Sequence, residues 1–130
     1  MEEKLALVKS QSKFDIKTMY IVADFSKMYK IQEYEDIIAA KLRDIDIGLL
    51  FLNAGIGGFV PFENQENSSI EEIVNVNAIH PIYLSKVLLN QLLKRTKRSA
   101  IVVTSSGLGS VPIPGTIIYS ASKSFSSFLA

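Results

Sequence analysis

The chain has 130 residues, of which 48% are hydrophobic and 21% charged, and its formal net charge is +1. This apolar content excludes an intrinsically disordered protein, and the length suits one domain with its own core. The near-neutral charge gives no electrostatic reason to expect nucleic acid or an anionic membrane as a partner. Because the sequence has no cysteine, disulfides and cysteine-ligated metals are excluded, and no metal site is predicted.

The first half of the chain predicts two helices and two strands. Residues Glu2 to Ser10 read as a surface helix, and the apolar run Met19–Ala23 reads as a strand that ends at Asp24. Helical spacing of apolar residues then predicts an amphipathic helix that ends near Arg43. The run Ile47–Leu52 is apolar at nearly every position, which is typical of a strand covered on both faces of a parallel sheet.

The second half continues the same alternation of helix and strand. A loop over 53–67 is followed by a predicted helix over 70–93, with N-cap candidates Ser68 and Ser69 and a kink at Pro81. Basic residues at 94–98 are typical of the end of that helix. A strand over 100–104, a loop over 105–118 and a helix that begins at Tyr119 complete the predicted elements. Alternating strands and helices predict an α/β fold with helices packed against a parallel sheet. No segment reaches the ~18 consecutive apolar residues of a membrane span, and Met1–Lys4 does not resemble a signal peptide.

Polar residues follow the predicted strands, where parallel sheets place their functional groups. Asn53, Ala54 and Gly55 follow one strand, and Ser106 follows the next. Tyr119 and Lys123 are four residues apart, so a helix places them on one face. An ammonium beside a phenol favours the phenolate and lowers the pKa of the phenol, so such a pair can exchange protons near neutral pH.

Each of these residues also has a purely structural interpretation. Asp24 could cap the turn before the next helix, and Asn77 could be a polar position on a partly exposed helix face. Gly55 could serve only a tight turn, and Tyr119 could pack on the sheet beside a solvated Lys123. His80, the single histidine, is assigned no role.

The order and spacing of several motifs favour the functional interpretation over the structural one. Ser106 precedes Tyr119 by 13 residues, and the loop between them holds three glycines and two prolines. Here the sequence resembles the short-chain dehydrogenase/reductase family, whose active sites pair a serine with Tyr-x-x-x-Lys at this separation. Three further stretches fall in the family's order and spacing, so the resemblance covers nearly the whole chain: Asn53–Gly55, Val76–Asn77 and Ile101–Ser106.

The resemblance implies a role for each matching residue. The resemblance implies four catalytic residues. Tyr119 would be the proton donor or acceptor, and Lys123 would lower the tyrosine pKa and hold the ribose of the cofactor. Ser106 would donate a hydrogen bond to the substrate oxygen, and Asn77 would interrupt its helix and position water in a proton relay. The implied cofactor-binding residues are Asp24 at the adenine, Asn53, Ala54 and Gly55 beneath the cofactor, and Tyr119 and Lys123.

The same resemblance implies an NAD(P)-dependent oxidoreductase that interconverts a carbonyl and a secondary alcohol, with NADP(H) favoured over NAD(H). The stretches Pro112–Gly115 and Tyr119–Phe125 look most like the branch of 3-ketoacyl-CoA reductases and hydroxysteroid dehydrogenases, which implies a lipid-like substrate. A homo-oligomer formed through the helices of residues 70–93 and 119–130 is expected, in the cytoplasm or at the endoplasmic reticulum if an N-terminal anchor exists. The alternative is a catalytically inactive chain that acts as a dimerisation or binding module.

The sequence departs from the family pattern at both ends. Family members open with a strand and a Thr-Gly-x-x-x-Gly-x-Gly turn that cradles the pyrophosphate, and this sequence has no such pattern. We therefore expect an incomplete three-layer α/β/α Rossmann-type sheet, with residues 1–130 forming part of an NAD(P)-binding domain that lacks its first two strands, its first helix and its C-terminal part. In the strand order 3-2-1-4-5-6, strands 4 and 5 are neighbours, whereas Met19–Ala23 as strand 3 would lack its native partners. We expect such a chain to be poorly stable on its own.

Overall fold

The computed structural model describes residues 2–130, in which four helices alternate with extended segments and two strands. The elements are α1, Glu2–Gln11; α2, comprising Ile31–Tyr34, a π-helical turn Glu35–Ala39 and Ala40–Leu42; β1, Leu49–Leu52; α3, comprising Asn67–Val74, a π-helical turn Asn75–Ile79 and His80–Leu93; β2, Ala100–Val103; and α4, Ile117–Leu129. Short 3-10 turns lie at Phe62–Asn64 and Gly107–Gly109. The predicted alternation of helix and strand is therefore present except at Met19–Ala23.

The two strands pair in parallel, with Leu49 opposite Ala100 and Leu52 opposite Val103. One face of this sheet contributes to the core, whereas the other face exposes 60% of Leu49 and 64% of Phe51. The predicted pairing of the two strands is thus correct. Because both strands run in one direction, their carboxyl ends and the polar residues that follow them lie at the same edge.

The core lies between α2, α3 and the covered face of the sheet. Its buried apolar side chains are Met28, Tyr34, Ile38, Leu52, Leu84 and Leu88. Burying one side chain of this size contributes about 1.5–3 kcal/mol. Gln91 of α3 also donates a hydrogen bond of 2.8 Å to the carbonyl of Leu42, so the end of α2 is tied to its neighbour.

Met19–Ala23 is not a strand, which corrects the sequence prediction. The segment is extended, yet none of the described residues 2–130 forms a backbone ladder with it. Its side chains still alternate, since Ile21 and Ala23 pack against the core while Val22 is 81% exposed. Local β preference is retained, but regular strand structure requires a partner that accepts and donates the ladder hydrogen bonds.

The predicted start of α3 and the predicted kink also need correction in detail. Helix α3 begins at Asn67 with Glu66 as its N-cap, ahead of the predicted caps Ser68 and Ser69. The irregularity predicted at Pro81 is a widened turn, Asn75–Ile79, which ends two residues before the proline. Proline has no N–H, so it cannot donate the usual helix bond to the carbonyl of Asn77. The Ser126 hydroxyl of α4 donates to that carbonyl instead, at 3.3 Å.

Within residues 2–130, none of the helices combines the length and the apolar character needed to cross a bilayer.

Candidate active site

The loops that follow β1 and β2 are joined at the carboxyl edge of the sheet. The backbone N–H of Thr104 donates to the carbonyl of Leu52 at 3.1 Å, which extends the ladder by one bond. The Thr104 hydroxyl then donates to Asn53 Oδ1 at 2.9 Å. Asn53, one of the predicted cofactor residues, is therefore fixed by the neighbouring strand's loop.

Lys123 lies at the centre of the site rather than in solvent. Its residue is only 4% exposed, and its Nζ donates to the carbonyl of Thr104 at 2.9 Å. A Cβ built on Gly55 would lie 3.1 Å from this Nζ and 3.5 Å from Asn77 Oδ1. The structure therefore brings Gly55, Asn77 and Lys123 together, and a side chain at Gly55 would press against the ammonium of Lys123.

The amide of Asn77 holds the loop that follows β1. It lies in the π-helical turn of α3 and is 1% exposed. Its Oδ1 accepts from the N–H of Ile56 at 2.9 Å, and its Nδ2 donates to the carbonyl of the same residue at 2.8 Å. Nδ2 also donates to the Ser122 hydroxyl at 2.9 Å, which links α3, the loop and α4. A wide helical turn at a functional position is a recurring feature of proteins.

Tyr119 is half-buried on the first turns of α4 and faces an open cleft of about 440 Å³. The Nζ of Lys123 lies 5.8 Å from the centroid of the Tyr119 ring, as the four-residue spacing predicts. The cleft is mostly apolar, and its lining includes Ile56, Phe59, Leu108 and Ile113. A phenol at the wall of such a cleft can exchange a proton with a molecule bound there.

Ser106 does not itself line this cleft, but it is the N-cap of the 3-10 turn Gly107–Gly109, whose Leu108 does. Its hydroxyl accepts a hydrogen bond from the N–H of Leu108 at 3.2 Å, so its own proton is left to donate. The preceding residue, Ser105, instead donates to the carbonyl of Lys123 at 2.8 Å. Ser105 therefore anchors α4 to the end of β2, a contact that the sequence interpretation had not identified.

Asp24 is separate from this cluster in its contacts. Its carboxylate accepts bonds from the N–H and hydroxyl of Ser26 at 3.1 and 2.7 Å, and these bonds hold its pKa below the usual range. The Nζ of Lys27 lies 3.7 Å from Oδ2 of Asp24. This is the turn-capping role that the sequence allowed, and the adenine contact stays a prediction. Ala54 lies exposed in the loop after β1, and its cofactor contact also stays a prediction.

Gly57 is a site residue that sequence reasoning missed. A Cβ built on it would lie 2.9 Å from Cγ and 3.0 Å from Cε2 of Tyr119, so the tyrosine ring rests against the glycine. Ser122 is a second such residue, since its hydroxyl donates to the carbonyl of Tyr119 at 2.7 Å besides accepting from Asn77. The only sequence signals were the Gly57–Gly58 pair and the small residues between Tyr119 and Lys123.

His80 is buried next to the site helix, although the sequence assigned it nothing. Its ring stacks on Phe25 with centroids 3.6 Å apart, and Tyr34 lies beyond. Neither the Tyr34 hydroxyl nor Nδ1 of His80 has a hydrogen-bond partner within residues 2–130. Burial lowers the pKa of His80 to about 4 and raises the pKa of Tyr34 to about 12. Both side chains are therefore neutral near pH 7, as expected for groups packed in an aromatic cluster.

The basic cluster that closes α3 is structural. Arg95 forms a two-pronged ion pair with the carboxylate of Asp46, which lowers the pKa of Asp46. The interpretation of residues 94–98 as a helix end rather than a phosphate site agrees with this contact.

The sequence model of the short chain dehydrogenase family matches residues 1–130. The chain belongs to the short-chain dehydrogenase family. This family's very-long-chain 3-oxoacyl-CoA reductase of Bos taurus is 31% identical over 136 residues, covering 99% of this chain and 42% of that protein. The inactive hydroxysteroid dehydrogenase-like protein 1 of Rattus norvegicus is 36% identical over 130 residues, covering 95% and 38%. The chain thus spans about two fifths of the length of these relatives.

Solved structures of short-chain dehydrogenases have the same fold. The bulky-bulky ketone specific alcohol dehydrogenase from Comamonas testosteroni is 28% identical with a TM-score of 0.79, covering 98% of this chain and 49% of that chain. A member from Burkholderia phymatum in complex with NAD is 25% identical with a TM-score of 0.71, covering 82% and 37%. A putative gluconate 5-dehydrogenase from Beutenbergia cavernae with bound NADP is 23% identical with a TM-score of 0.73, covering 83% and 42%. The predicted resemblance and the Rossmann-type α/β class are confirmed.

Proposed function

We propose that the protein is an NAD(P)-dependent oxidoreductase that interconverts a carbonyl and a secondary alcohol. The observation that carries this proposal is the placement of Tyr119 at the wall of the cleft, with the ammonium of Lys123 5.8 Å from its ring centroid. This is the pair that the family motif predicts, and it lies where the two strands end. The family membership of the whole chain supports the same chemistry.

The residues around Lys123 fit a nicotinamide dinucleotide. Gly55 presents bare backbone next to Nζ, which is the close approach that a flat nucleotide needs. Asn53, Ala54 and Gly55 would lie beneath the cofactor, Lys123 would hold the ribose hydroxyls, and Asp24 would contact the adenine. We therefore propose that residues 1–130 form part of an NAD(P)-binding domain. The preference for NADP(H) over NAD(H) stays a prediction.

The protein's own part in the reaction is to move a proton. When bound, the dinucleotide supplies or accepts the hydride. Tyr119 would protonate the substrate oxygen in reduction and remove the alcohol proton in oxidation, while Ser106 would donate a hydrogen bond to that oxygen. The buried ammonium of Lys123 stabilises negative charge that develops on the phenol.

The lining of the cleft indicates the kind of substrate. Ile56, Phe59, Leu108 and Ile113 surround the approach to Tyr119 with apolar surface. We propose a ketone or 3-oxoacyl compound with an apolar body, because such a body would be desolvated against these side chains. The names of the curated relatives and of the Comamonas enzyme are in line with such a substrate.

The test is turnover of the purified protein with NADH or NADPH and either a bulky ketone or a 3-oxoacyl-CoA. We expect Tyr119→Phe to lower kcat by about 10²–10⁴-fold, because general acid–base catalysis is lost. Cofactor binding, followed by quenching or thermal shift, should remain. Tyr20→Phe is the matched control, since Tyr20 lies in the extended segment and is 46% exposed. Equal turnover of wild type and Tyr119→Phe would refute the catalytic assignment.

A binding module without catalysis is the second candidate. It is favoured by the relative with the higher identity of the two described, which is named an inactive protein. In that case the wild type would bind NADH or NADPH, or a second copy, yet convert none of the ketone or 3-oxoacyl substrates.

For either candidate we propose a homo-oligomer formed through the helices of residues 70–93 and 119–130. Both present exposed apolar side chains, with Leu93 70% and Phe128 93% exposed. Aromatic side chains are enriched at interfaces, and exposed apolar patches mark interaction sites. Sedimentation should show a dimer or larger species that Phe128→Ser weakens, and an unchanged mass distribution would argue against this interface.

A further inference from the structure

The ring of Tyr119 is seated on the backbone of Gly57. A Cβ at this position would lie 2.9 Å from Cγ and 3.0 Å from Cε2 of the ring, and closer still to Cδ2. Carbon atoms in ordinary contact are about 3.5–4.0 Å apart. A methyl group and the ring therefore cannot both occupy their present places.

Space, and not backbone conformation, is what makes glycine necessary here. Gly115 is the glycine with a positive φ among the described residues, at 82°, so Gly57 has a backbone that other residues can adopt. Its neighbour Gly58 offers a contrast, because a Cβ there would meet nothing nearer than Val60 Cγ2 at 4.0 Å. The two adjacent glycines thus differ in their contact with the tyrosine.

The loop cannot easily retreat to make room for a side chain. The preceding residue, Ile56, is held at both its N–H and its carbonyl by the buried amide of Asn77. Tyr119 is held less firmly, since one side of its ring faces the open cleft. A side chain at position 57 would therefore displace the ring by about 1 Å and leave the loop in place.

We infer that Gly57 is a positioning residue for Tyr119: the loop clamped by Asn77 forms the support that sets where the phenol stands in the cleft. This inference rests on the proposed function for its kinetic consequence, but the contact itself does not. A displacement of about 1 Å at a catalytic group can cost up to about 100-fold in rate. Gly57→Ala should accordingly lower kcat by about 10–100-fold with little change in KM, whereas Gly58→Ala should behave as wild type.

The kinetic test compares these two variants alone and in the Tyr119→Phe background. If Gly57 acts through the phenol, Gly57→Ala should cause no further loss of kcat once the hydroxyl is absent. An equal kcat for Gly57→Ala and Gly58→Ala, or an undiminished effect of Gly57→Ala in the Tyr119→Phe background, would overturn the inference.

A second measurement needs no turnover. In protein labelled with ring-¹³C tyrosine, the Tyr119 resonance, assigned by its loss in Tyr119→Phe, should shift in Gly57→Ala and stay in place in Gly58→Ala. An unmoved resonance in Gly57→Ala would refute the contact between Gly57 and the tyrosine ring, whether or not the wild type is active. An inactive wild type would refute only the proposed function. Should Gly57→Ala fail to fold, removal of the ring by Tyr119→Ala should restore folding of the double variant, and failure of that rescue would also overturn the contact.

Discussion

Two regions of the molecule differ in whether their extended residues find a neighbouring strand within residues 2–130. The segment of residues 12–30 holds no helix or strand, is largely exposed and has no sheet partner among residues 2–130, although its sequence reads as a strand at Met19–Ala23. In the region of residues 49–130 the two strands pair, a buried hydrogen bond joins α3 to α4, and a part-buried one joins α4 to the end of β2. Both regions carry predicted site residues, but only the second brings them together.

The difference shows what each kind of structure requires. The Tyr119–Lys123 pair lies within one helix, so its four-residue spacing alone places both side chains on one face. Asp24 is different, because its predicted role depends on a sheet that positions the segment before it. A motif within one helix is therefore informative from sequence alone, while a residue at the end of a strand depends on the pairing of that strand.

The largest expected effect compares two asparagines of the same π-helical turn. Asn77 makes three hydrogen bonds to Ile56 and Ser122, whereas Asn75 makes one of 3.4 Å to the carbonyl of Ser26 in the extended segment. Asn77→Ala leaves several part-buried polar groups without partners, so we expect a loss of about 4 kcal/mol in the free energy of unfolding. Urea denaturation measures this loss.

Asn75→Ala is the matched control for that experiment. Its long, single hydrogen bond predicts a loss of about 1 kcal/mol or less. If the two variants were equally destabilised, the hydrogen bonds of Asn77 would stabilise the protein no more than the bond of Asn75 to residues 12–30. The contrast between the two regions would then be wrong.

The next effect concerns His80, which joins the two regions by stacking on Phe25. Its pKa is about 4 in the folded protein, because burial disfavours the charged ring, against about 6.5 when unfolded. The unfolded chain therefore binds more protons between these values, so this contribution is complete above pH 6.5 and is lost as the pH falls toward 4. We expect a loss of up to about 3 kcal/mol over this window.

Urea unfolding at several pH values tests this expectation when wild type is compared with His80→Phe. The phenyl ring keeps the stacking surface but has no proton to bind, so the variant should lose less stability on acidification. Carboxylates such as Asp46 titrate in both proteins and cancel in the difference. The same pH slope in wild type and variant would show that His80 is solvated and that the two regions are not packed as described.

Much of the fold could be predicted from the sequence, because it depends on local periodicity. The strands Leu49–Leu52 and Ala100–Val103 and the helices around them follow from apolar runs and helical spacing. The missing ladder at Met19–Ala23 could not be read from the run itself, since the same residues form a strand or an extended segment depending on a partner. It is expected from the strand order, in which this segment lacks its native neighbours.

The spacing of the candidate site residues could be predicted from the sequence, but the contacts that support them could not. Tyr119 and Lys123 share a helix face by spacing, and Asn77 lies in a wide turn of the helix, as its motif implied. The seat of the tyrosine on Gly57 and the bond from Lys123 to the carbonyl of Thr104 depend on distances between segments far apart in the chain. Such contacts depend on where distant backbone segments meet, which the local sequence pattern does not specify.

A smaller effect is expected within the site region at Ser122. Its hydroxyl accepts from Asn77 and donates to the carbonyl of Tyr119, so Ser122→Ala removes two bonds but leaves the Asn77 clamp on Ile56 intact. We expect a loss of about 1 kcal/mol, measured by urea denaturation. Ser110→Ala, at an exposed position, should cost nothing measurable. If Ser122→Ala lowered the free energy of unfolding as much as Asn77→Ala, the hydrogen bonds of Ser122, and not those between Asn77 and Ile56, would provide most of the stabilisation.

The smallest effect on stability, and the sharpest test of the extended segment, is Asp24→Asn. The amide oxygen can still accept from Ser26, so the turn should persist and the midpoint of unfolding should hardly move. If Asp24 contacts the adenine amino group as proposed, the weaker acceptor should raise the Kd for NADH or NADPH by about tenfold without lowering kcat. Asp36→Asn, an exposed carboxylate of α2, is the matched control. An unchanged Kd would confine Asp24 to its turn, and the extended segment would then take no part in the site.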